Sequence, residues 1–328
     1  MKEQILHILR QQDGFVSGQA LCEQMGVSRT AVWKYINALK KEGYEIESVT
    51  RKGYRLLQSP DLLKEEIVRQ YVTKDIWPGP VVCLESVDST NEEAKRQAAL
   101  GAPDGTLFVT DNQTAGKGRR GREWSSPGGK DIFYTLLLRP DISVSNASML
   151  TLVAALAVAA AAEKYSDVPC QIKWPNDVIL NEKKICGILT EMEMELEMDA
   201  ISYIIIGIGC NINRETFPEE LLYMASSLYR ETGKKIRRAA FLADFIQEFQ
   251  KRYAIFLREQ SFAPFVKEYE SRLVNIGREV RLLQRGQERI CRAVGINEKG
   301  ELLIKNEKGE IERIFSGEVS VRGLYGYV

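Results

Sequence analysis

Histidine is almost missing from this chain: the 328 residues contain one, His7. An imidazole-based catalytic triad and a multi-His zinc site both need more, so those chemistries are excluded. Net charge is missing too, since 45 Lys and Arg balance 45 Asp and Glu. A neutral chain does not coat nucleic acid or an anionic membrane wholesale, so any anion it binds is gripped locally. The six cysteines (Cys22, Cys83, Cys170, Cys186, Cys210 and Cys291) include no C-x-x-C pair and are too scattered for a secreted disulfide framework. They read as buried thiols in a reducing compartment. No long apolar stretch follows Met1, and the most apolar run, residues 149–162, is short for a bilayer. A cytoplasmic protein is expected.

The length exceeds what one hydrophobic core usually serves, and changes in texture along the chain predict three domains, 1–60, 61–272 and 273–328. Residues 1–59 carry nine Lys and Arg against six Asp and Glu, a local positive excess. Helical spacing through Ile5, Leu6, Ile8 and Leu9 is followed by Ser17 as the N-cap of a second helix. Met25, Gly26 and Val27 form a tight turn, and Ser28 caps a third helix. Val32, Ile36 and Leu39 line one face of it, and Arg29, Thr30, Trp33, Lys34 and Asn37 lie on or near the other. Two short strand-like runs, 44–49 and 53–57, then enclose a basic tip at Arg51 and Lys52. A helix-turn-helix followed by a basic hairpin is a winged helix. Arg29, Arg51 and Lys52 suit phosphate contacts, while Thr30, Trp33, Lys34 and Asn37 can reach base edges, with Ser28 at the helix start. DNA is the partner this module predicts.

From residue 81 strands and helices alternate irregularly: strand 81–84, helix 89–99, strand 106–110, strand 132–138, an Ala-rich helix 148–165, then strands near 171–173, 177–180, 184–194 and 201–208. The pattern predicts a mixed sheet of α/β or α+β type. The run 191–198 alternates Glu with Met and Leu, which reads as a half-solvated strand with its apolar residues on one face, near a hairpin at Asp199. A long helical stretch follows at 239–265. From residue 274, short strands and two Asn-Glu-Lys-Gly turns at 297–300 and 306–309 predict a small β-barrel of the SH3 kind.

Chemistry concentrates at residues 116–124, where Gly116, Gly118 and Gly121 interleave with Lys117, Arg119, Arg120 and Arg122 and end on Glu123 and Trp124. Glycines let backbone approach an anion closely, and arginines add forked donors matched to phosphate oxygens. By itself the loop reads equally as a solvated basic segment. Four further segments accompany it: Asp88-Ser89-Thr90-Asn91, Lys173-Trp174-Pro175-Asn176-Asp177, Lys184 to Leu189 as K-x-x-G-I-L, and Gly207 to Asn211 as G-x-G-x-N. In this order the set resembles the biotin-protein ligase family. With the winged helix, the whole chain resembles the bifunctional ligases that double as biotin-operon repressors. Lys117 replaces the commoner Arg, and Cys210 an aliphatic residue.

The resemblance implies a central domain like that of class II aminoacyl-tRNA synthetases and an SH3-like carboxyl-terminal domain. It implies activation of biotin with ATP and Mg²⁺ to biotinyl-5′-AMP, then transfer to a lysine of the biotin carboxyl carrier domain of acetyl-CoA carboxylase or another biotin-dependent carboxylase. Biotin is expected against Ser89, Thr90, Asn91, Gln113, Lys117, Gly118, Arg119 and Lys184. The nucleotide is expected against Arg119, Arg120, Arg122, Trp124, Asn176, Asn211 and Arg322, with Trp124 on adenine and no protein metal ligands. Arg119 and Lys184 carry the catalytic expectation, because carboxylate and triphosphate repel until fixed positive charge cancels them. Ser89 doubles as the N-cap of its helix. Ordering of the glycine loop by the adenylate is expected to promote a homodimer that presents two winged helices to a palindromic operator. A lipoate-type ligase and a non-catalytic biotin-sensing repressor are the alternatives.

Overall fold

The computed structural model describes residues 1–195, 200–284, 287–316 and 319–323, with the side chains of 284, 287 and 319–323 outside the described set. The chain divides into two compact units, Met1–Leu62 and Leu63–Val328. In the first, α1 (Lys2–Arg10), α2 (Gly18–Met25) and α3 (Arg29–Lys41) precede an antiparallel hairpin of β1 (Glu45–Val49) and β2 (Gly53–Gln58). Local chemistry sets the helix starts: Ser17 Oγ accepts from Ala20 N at 3.0 Å, and Ser28 Oγ from Ala31 N at 3.3 Å. Gly26, at φ 65°, closes α2 in the left-handed conformation and turns the chain into α3. Ile5, Leu6, Leu9, Leu21, Val32, Ile36 and Leu39 meet in one core. Each such side chain contributes about 1.5–3 kcal/mol by leaving water. Tyr54 of β2 pairs with Val16, which fastens the hairpin to the helices.

The second unit opens with α4 (Glu65–Tyr71), then β3 (Val81–Leu84), α5 (Thr90–Ala99), β4 (Thr106–Thr110), β5 (Ile132–Leu138) and α6 (Met149–Glu163). Next come β6 (Gln171–Lys173), β7 (Asp177–Leu180), β8 (Lys183–Glu195), β9 (Ala200–Cys210), α7 (Leu228–Thr232), α8 (Arg238–Glu259) and α9 (Val266–Arg272). The long helix expected over 239–265 therefore ends at Glu259, where Gln260 adopts φ 46°. The strands form one seven-stranded sheet in the order β3-β4-β5-β9-β8-β7-β6. Only β3 and β4 run parallel, which is the mixed sheet the alternation predicts.

Strand alternation sorts the two faces. Even positions of β5 point to one side, where Tyr134 lies 5.0 Å from the ring of Phe245 on α8. Odd positions point to the other, where Thr135 meets Asn91 of α5. Helix α6 packs on α8 and is apolar all round, with almost every residue buried, as expected of a helix covered on all sides. The stretch Val144–Glu163 has the length and composition of a membrane span, longer than the run counted from sequence, yet 67% of it is buried inside the protein.

The carboxyl-terminal strands are β10 (Glu279–Gln284), β11 (Gln287–Ile296), β12 (Leu302–Lys305), β13 (Ile311–Ile314) and β14 (Val319–Gly323), all antiparallel in the order β13-β12-β11-β10-β14. The two Asn-led turns form as expected: Asn297 Oδ1 accepts from the N–H groups of Lys299 and Glu301, and Asn306 Oδ1 from those of Lys308 and Glu310. Trp174, buried before β7, donates its Nε1 to Gly300 O at 3.1 Å and ties this sheet to the larger one.

Two expectations need correction. Ser89 occupies the N-cap position of α5, but its side chain makes no capping bond; its N–H instead takes Asp88 Oδ1 at 2.7 Å. In the described part of the 191–198 run, residues 191–195, the apolar positions are no more covered than the glutamates. Thr190, bonded to Thr151 of α6, is half-buried, Met192 is 42% exposed and Met194 is again half-buried. Glu191, on the other side, is engaged by Asn91 and Lys95 rather than by water. Residues 196–199, with the expected hairpin tip, lie outside the described residues.

Candidate functional site

A cleft of about 440 Å³, counted with its open mouth, lies on the α5 face of the sheet. Strand register builds its floor. Phe133, Gly209, Gly187 and Asp177 form one row across β5, β9, β8 and β7, and Thr135, Gly207 and Leu189 form the next. The three glycines are required by what lies on them. A Cβ at Gly187 or Gly209 would stand 2.6 or 2.7 Å from the Trp124 indole, and one at Gly207 would stand 1.9 Å from Asn91 Oδ1. Trp124 thus lies flat on bare backbone. Among the described residues its Nε1 is buried without an acceptor, a polar group left for something else to satisfy.

One end of the cleft is neutral and closed. Thr90 N donates to Gln113 Oε1 at 2.9 Å, Gln113 Nε2 to Ser126 Oγ at 3.0 Å, and Ser126 Oγ to Trp124 O at 3.0 Å. Ser89, Thr90 and Asn91 are each at most 4% exposed. The other end is cationic. Lys184 Nζ pairs with Asp177 Oδ1 at 2.6 Å and sits 4.9 Å from the Trp124 ring centroid. Arg119 donates to Asn176 Oδ1 at 3.0 Å and to the Ser316 carbonyl of the carboxyl-terminal segment. Burial pulls the Arg119 pKa below its usual value, opposed by nearby Asp177, but a guanidinium stays charged from that starting point. The loop that carries these groups is closed by Gly118 N to Arg122 O at 2.7 Å and Trp124 N to Gly116 O at 2.9 Å. Lys117 pairs with Glu92 at 2.9 Å, and Lys117 and then Lys95 hold the Glu92 carboxyl below its usual range.

The cleft brings together Ser89, Thr90, Asn91, Gln113, Lys117, Gly118, Arg119, Trp124, Asn176 and Lys184, drawn from separated segments of the chain. Arg120 and Arg122 are exposed and do not line it. Asn211 is buried behind it, donating to Ser226 O at 2.9 Å. Arg322 has its backbone in β14 and its side chain outside the described residues. Sequence reading did not select Phe133, Glu92, Lys95, Thr135, Asp177 or Glu191. Period-two spacing from a cleft residue would have found Phe133 and Thr135, but the carboxylates had no such signal.

In the first unit Arg29, Thr30, Trp33 and Lys34 are exposed on one side of α3, Trp33 at 58%. Asn37 is half-buried, and Ser28 caps the helix. Arg29 reaches Gln19 Oε1 at 3.0 Å. Arg51 and Lys52 stand exposed at the hairpin tip.

Known proteins match this arrangement along the whole chain. A model of the HTH domain matches residues 2–55, the Biotin/lipoate A/B protein ligase family residues 83–211, and the Biotin protein ligase C terminal domain residues 276–322. Bifunctional ligase/repressor BirA of Bacillus subtilis (strain 168) is 40% identical over 309 residues, covering 94% of both chains. The protein of the same name from Escherichia coli (strain K12) is 30% identical over 308 residues, covering 94% of this chain and 93% of that one. Among solved structures, the biotin protein ligase from Aquifex aeolicus in complex with biotin and ATP superposes with a TM-score of 0.65 at 36% identity, over 74% of this chain and 99% of that one. The chain belongs to the biotin-protein ligase family, and its full-length relatives are of the bifunctional ligase/repressor kind.

Proposed function

We propose that this chain is an ATP-dependent biotin-protein ligase and a biotin-adenylate-dependent repressor. The observation that carries the reading is the joining, in one cleft, of a neutral hydrogen-bonding end to a cationic end. Biotin has that polarity, a urea at one end and a carboxylate at the other. The carboxylate oxygen attacks the α-phosphorus of ATP, pyrophosphate leaves, and biotinyl-5′-AMP results. The amine of an acceptor lysine then attacks the acyl carbon, an amide forms, and AMP departs. No protein nucleophile enters either step, which agrees with a chain holding one histidine.

Ser89, Thr90, Asn91 and Gln113 hold the urea, and Lys117, Gly118, Arg119 and Lys184 hold the carboxylate side. Lys184 and Arg119 are the catalytic pair, stabilising the negative charge that develops as the phosphorus is attacked. Trp124 packs on adenine, with Asn176 beside the nucleotide. Arg120, Arg122, Asn211 and Arg322 are the further nucleotide contacts of this reading. Mg²⁺ travels with the triphosphate and neutralises its charge; among the described residues no group of three or more His, Cys, Asp or Glu side chains gathers to hold an ion, so no step is assigned to it.

The acceptor is the biotin carboxyl carrier domain of a carboxylase. From Thr190 to Glu195, β8 runs past the end of β7 and pairs only with β9, which leaves a strand edge for an acceptor or a second copy. The adenylate-loaded protein forms a homodimer on that edge and places two α3 helices on a palindromic operator. Thr30, Trp33, Lys34 and Asn37 read bases, and Arg29, Arg51 and Lys52 hold phosphates. The functional modules are 1–60, 61–272 and 273–328, working in the cytoplasm. Biotin-dependent ATP–pyrophosphate exchange tests the enzyme: exchange with biotin and not lipoate supports it, exchange with lipoate overturns the substrate, and none leaves a sensor. A gel shift with operator DNA, with and without biotin and ATP, tests repression.

A further inference from the structure

The closed end of the cleft contains a relay of hydrogen bonds whose direction is set by a residue outside the cleft lining. Asn91 Nδ2 lies 2.8 Å from Glu191 Oε2 and 3.3 Å from Leu189 O. Both partners accept only, so the amide nitrogen must face them and Oδ1 must face the other way. There it meets Thr135 Oγ1 at 2.8 Å. The same Thr135 oxygen is 2.8 Å from Thr90 Oγ1. Thr135 Oγ1 has donor geometry toward both oxygens, but a hydroxyl has one proton; given to Asn91, whose Oδ1 has none to offer in return, it is withheld from Thr90. Thr90 in turn gives its own proton to Gln113 Oε1 at 3.2 Å. With the Thr135 proton on Asn91, no side chain among the described residues donates to Thr90. Its lone pairs are left for the cleft.

The relay is rigidly seated. Thr135 is fully buried, Asn91 is 4% exposed, and Asn91 rests on Gly207, where a methyl group would displace it. Glu191 is itself held by Lys95 Nζ at 2.6 Å, which also pairs with Glu92 at 3.0 Å. Resting on the ligase reading above, we infer that Glu191 is a positioning and specificity-determining residue: through Asn91 and Thr135 it turns Thr90 into an acceptor for a urea N–H of biotin. Lys95 sharpens the effect. In Glu191→Gln the ammonium would take the new amide's oxygen, which turns the amide's NH₂ toward Asn91 and drives the relay in reverse.

The test uses the full-length protein and the KM values of ATP–pyrophosphate exchange. Glu191→Gln is expected to raise the KM for biotin about tenfold, the scale of one misdirected hydrogen bond, with the KM for ATP and kcat within about twofold. Thr135→Val is expected to do the same, and Thr135→Ser, which restores the hydroxyl, to return the KM for biotin to within about twofold of the parent. Preference for biotin over a urea N-methylated analogue falls in Glu191→Gln. An unchanged KM for biotin in Glu191→Gln overturns the inference, as does a parallel rise for biotin and ATP with a lowered melting temperature. Absence of exchange in the parent protein instead overturns the ligase reading.

Discussion

The two ends of the cleft hold their side chains in opposite ways. At the closed end, Thr90, Asn91 and Thr135 are buried, Gln113 is half-buried, and the four are bonded to one another, so the pattern of donors and acceptors is fixed before any ligand enters. At the open end, Lys117 is half exposed and Lys184 and Arg119 are paired with Asp177, Asn176 and a backbone carbonyl that a triphosphate would have to replace. Fixed neutral groups discriminate, because a ligand lacking the matching group leaves a buried partner unsatisfied. Exchangeable charges gather anions and let them go. A two-step enzyme needs both, since biotin stays while pyrophosphate leaves.

Breaking the charged end should produce the largest effects. Lys184→Met is expected to slow pyrophosphate exchange by roughly 10²–10³-fold, the scale for loss of one preorganised donor to developing charge. Arg119→Gly removes the links to Asn176 and Ser316, and release of biotinyl-5′-AMP should accelerate by about 10–100-fold, more than its formation slows. Rapid-quench and dialysis measurements separate the two rates; tight retention of adenylate by this variant would count against the assignment.

The floor joins the two ends and gives the next effect. In Gly209→Val the new side chain meets the Trp124 indole, so overpacking by about 1–3 kcal/mol should lift the ring. A raised KM for ATP and altered tryptophan emission would register it.

The smallest effect lies at the entrance to α5, outside both ends. Arg96 holds the Asp88 carboxyl down to about 2, from an ordinary value near 3.8. A depressed carboxylate stabilises the fold above its unfolded pKa, and that contribution fades as pH falls through the folded value. The pair is nearly half exposed, so screening limits it to about 1 kcal/mol or less. Asp88→Asn should lower the urea midpoint slightly at pH 7, and the gap should close below about pH 2.

Much of this was legible in the chain. The winged helix declared itself through Ser17, Gly26 and Ser28, because caps and turns depend on neighbouring residues only. The five motifs that line the cleft were legible as compositional clusters. Glu191 was not: its alternation with Met192 pointed to a solvated carboxylate, and only the packing of α5 on β5 and β9 brings the Asn91 and Lys95 side chains to it. Ser89 was half legible, placed correctly at the start of α5 but credited with a cap that Asp88 geometry replaces.

The sequence by itself determined the local pieces: where helices begin, which strands alternate, where cations and glycines concentrate, and that no imidazole chemistry is available. Tertiary structure decided which pieces meet. Register across β5, β9 and β8 turned three glycines from two separate motifs into one floor for Trp124 and Asn91. It also decided proton direction, since a hydroxyl's donor or acceptor role follows from its neighbours in space. Those neighbours, Glu191 and Thr135, stand far from Asn91 along the chain.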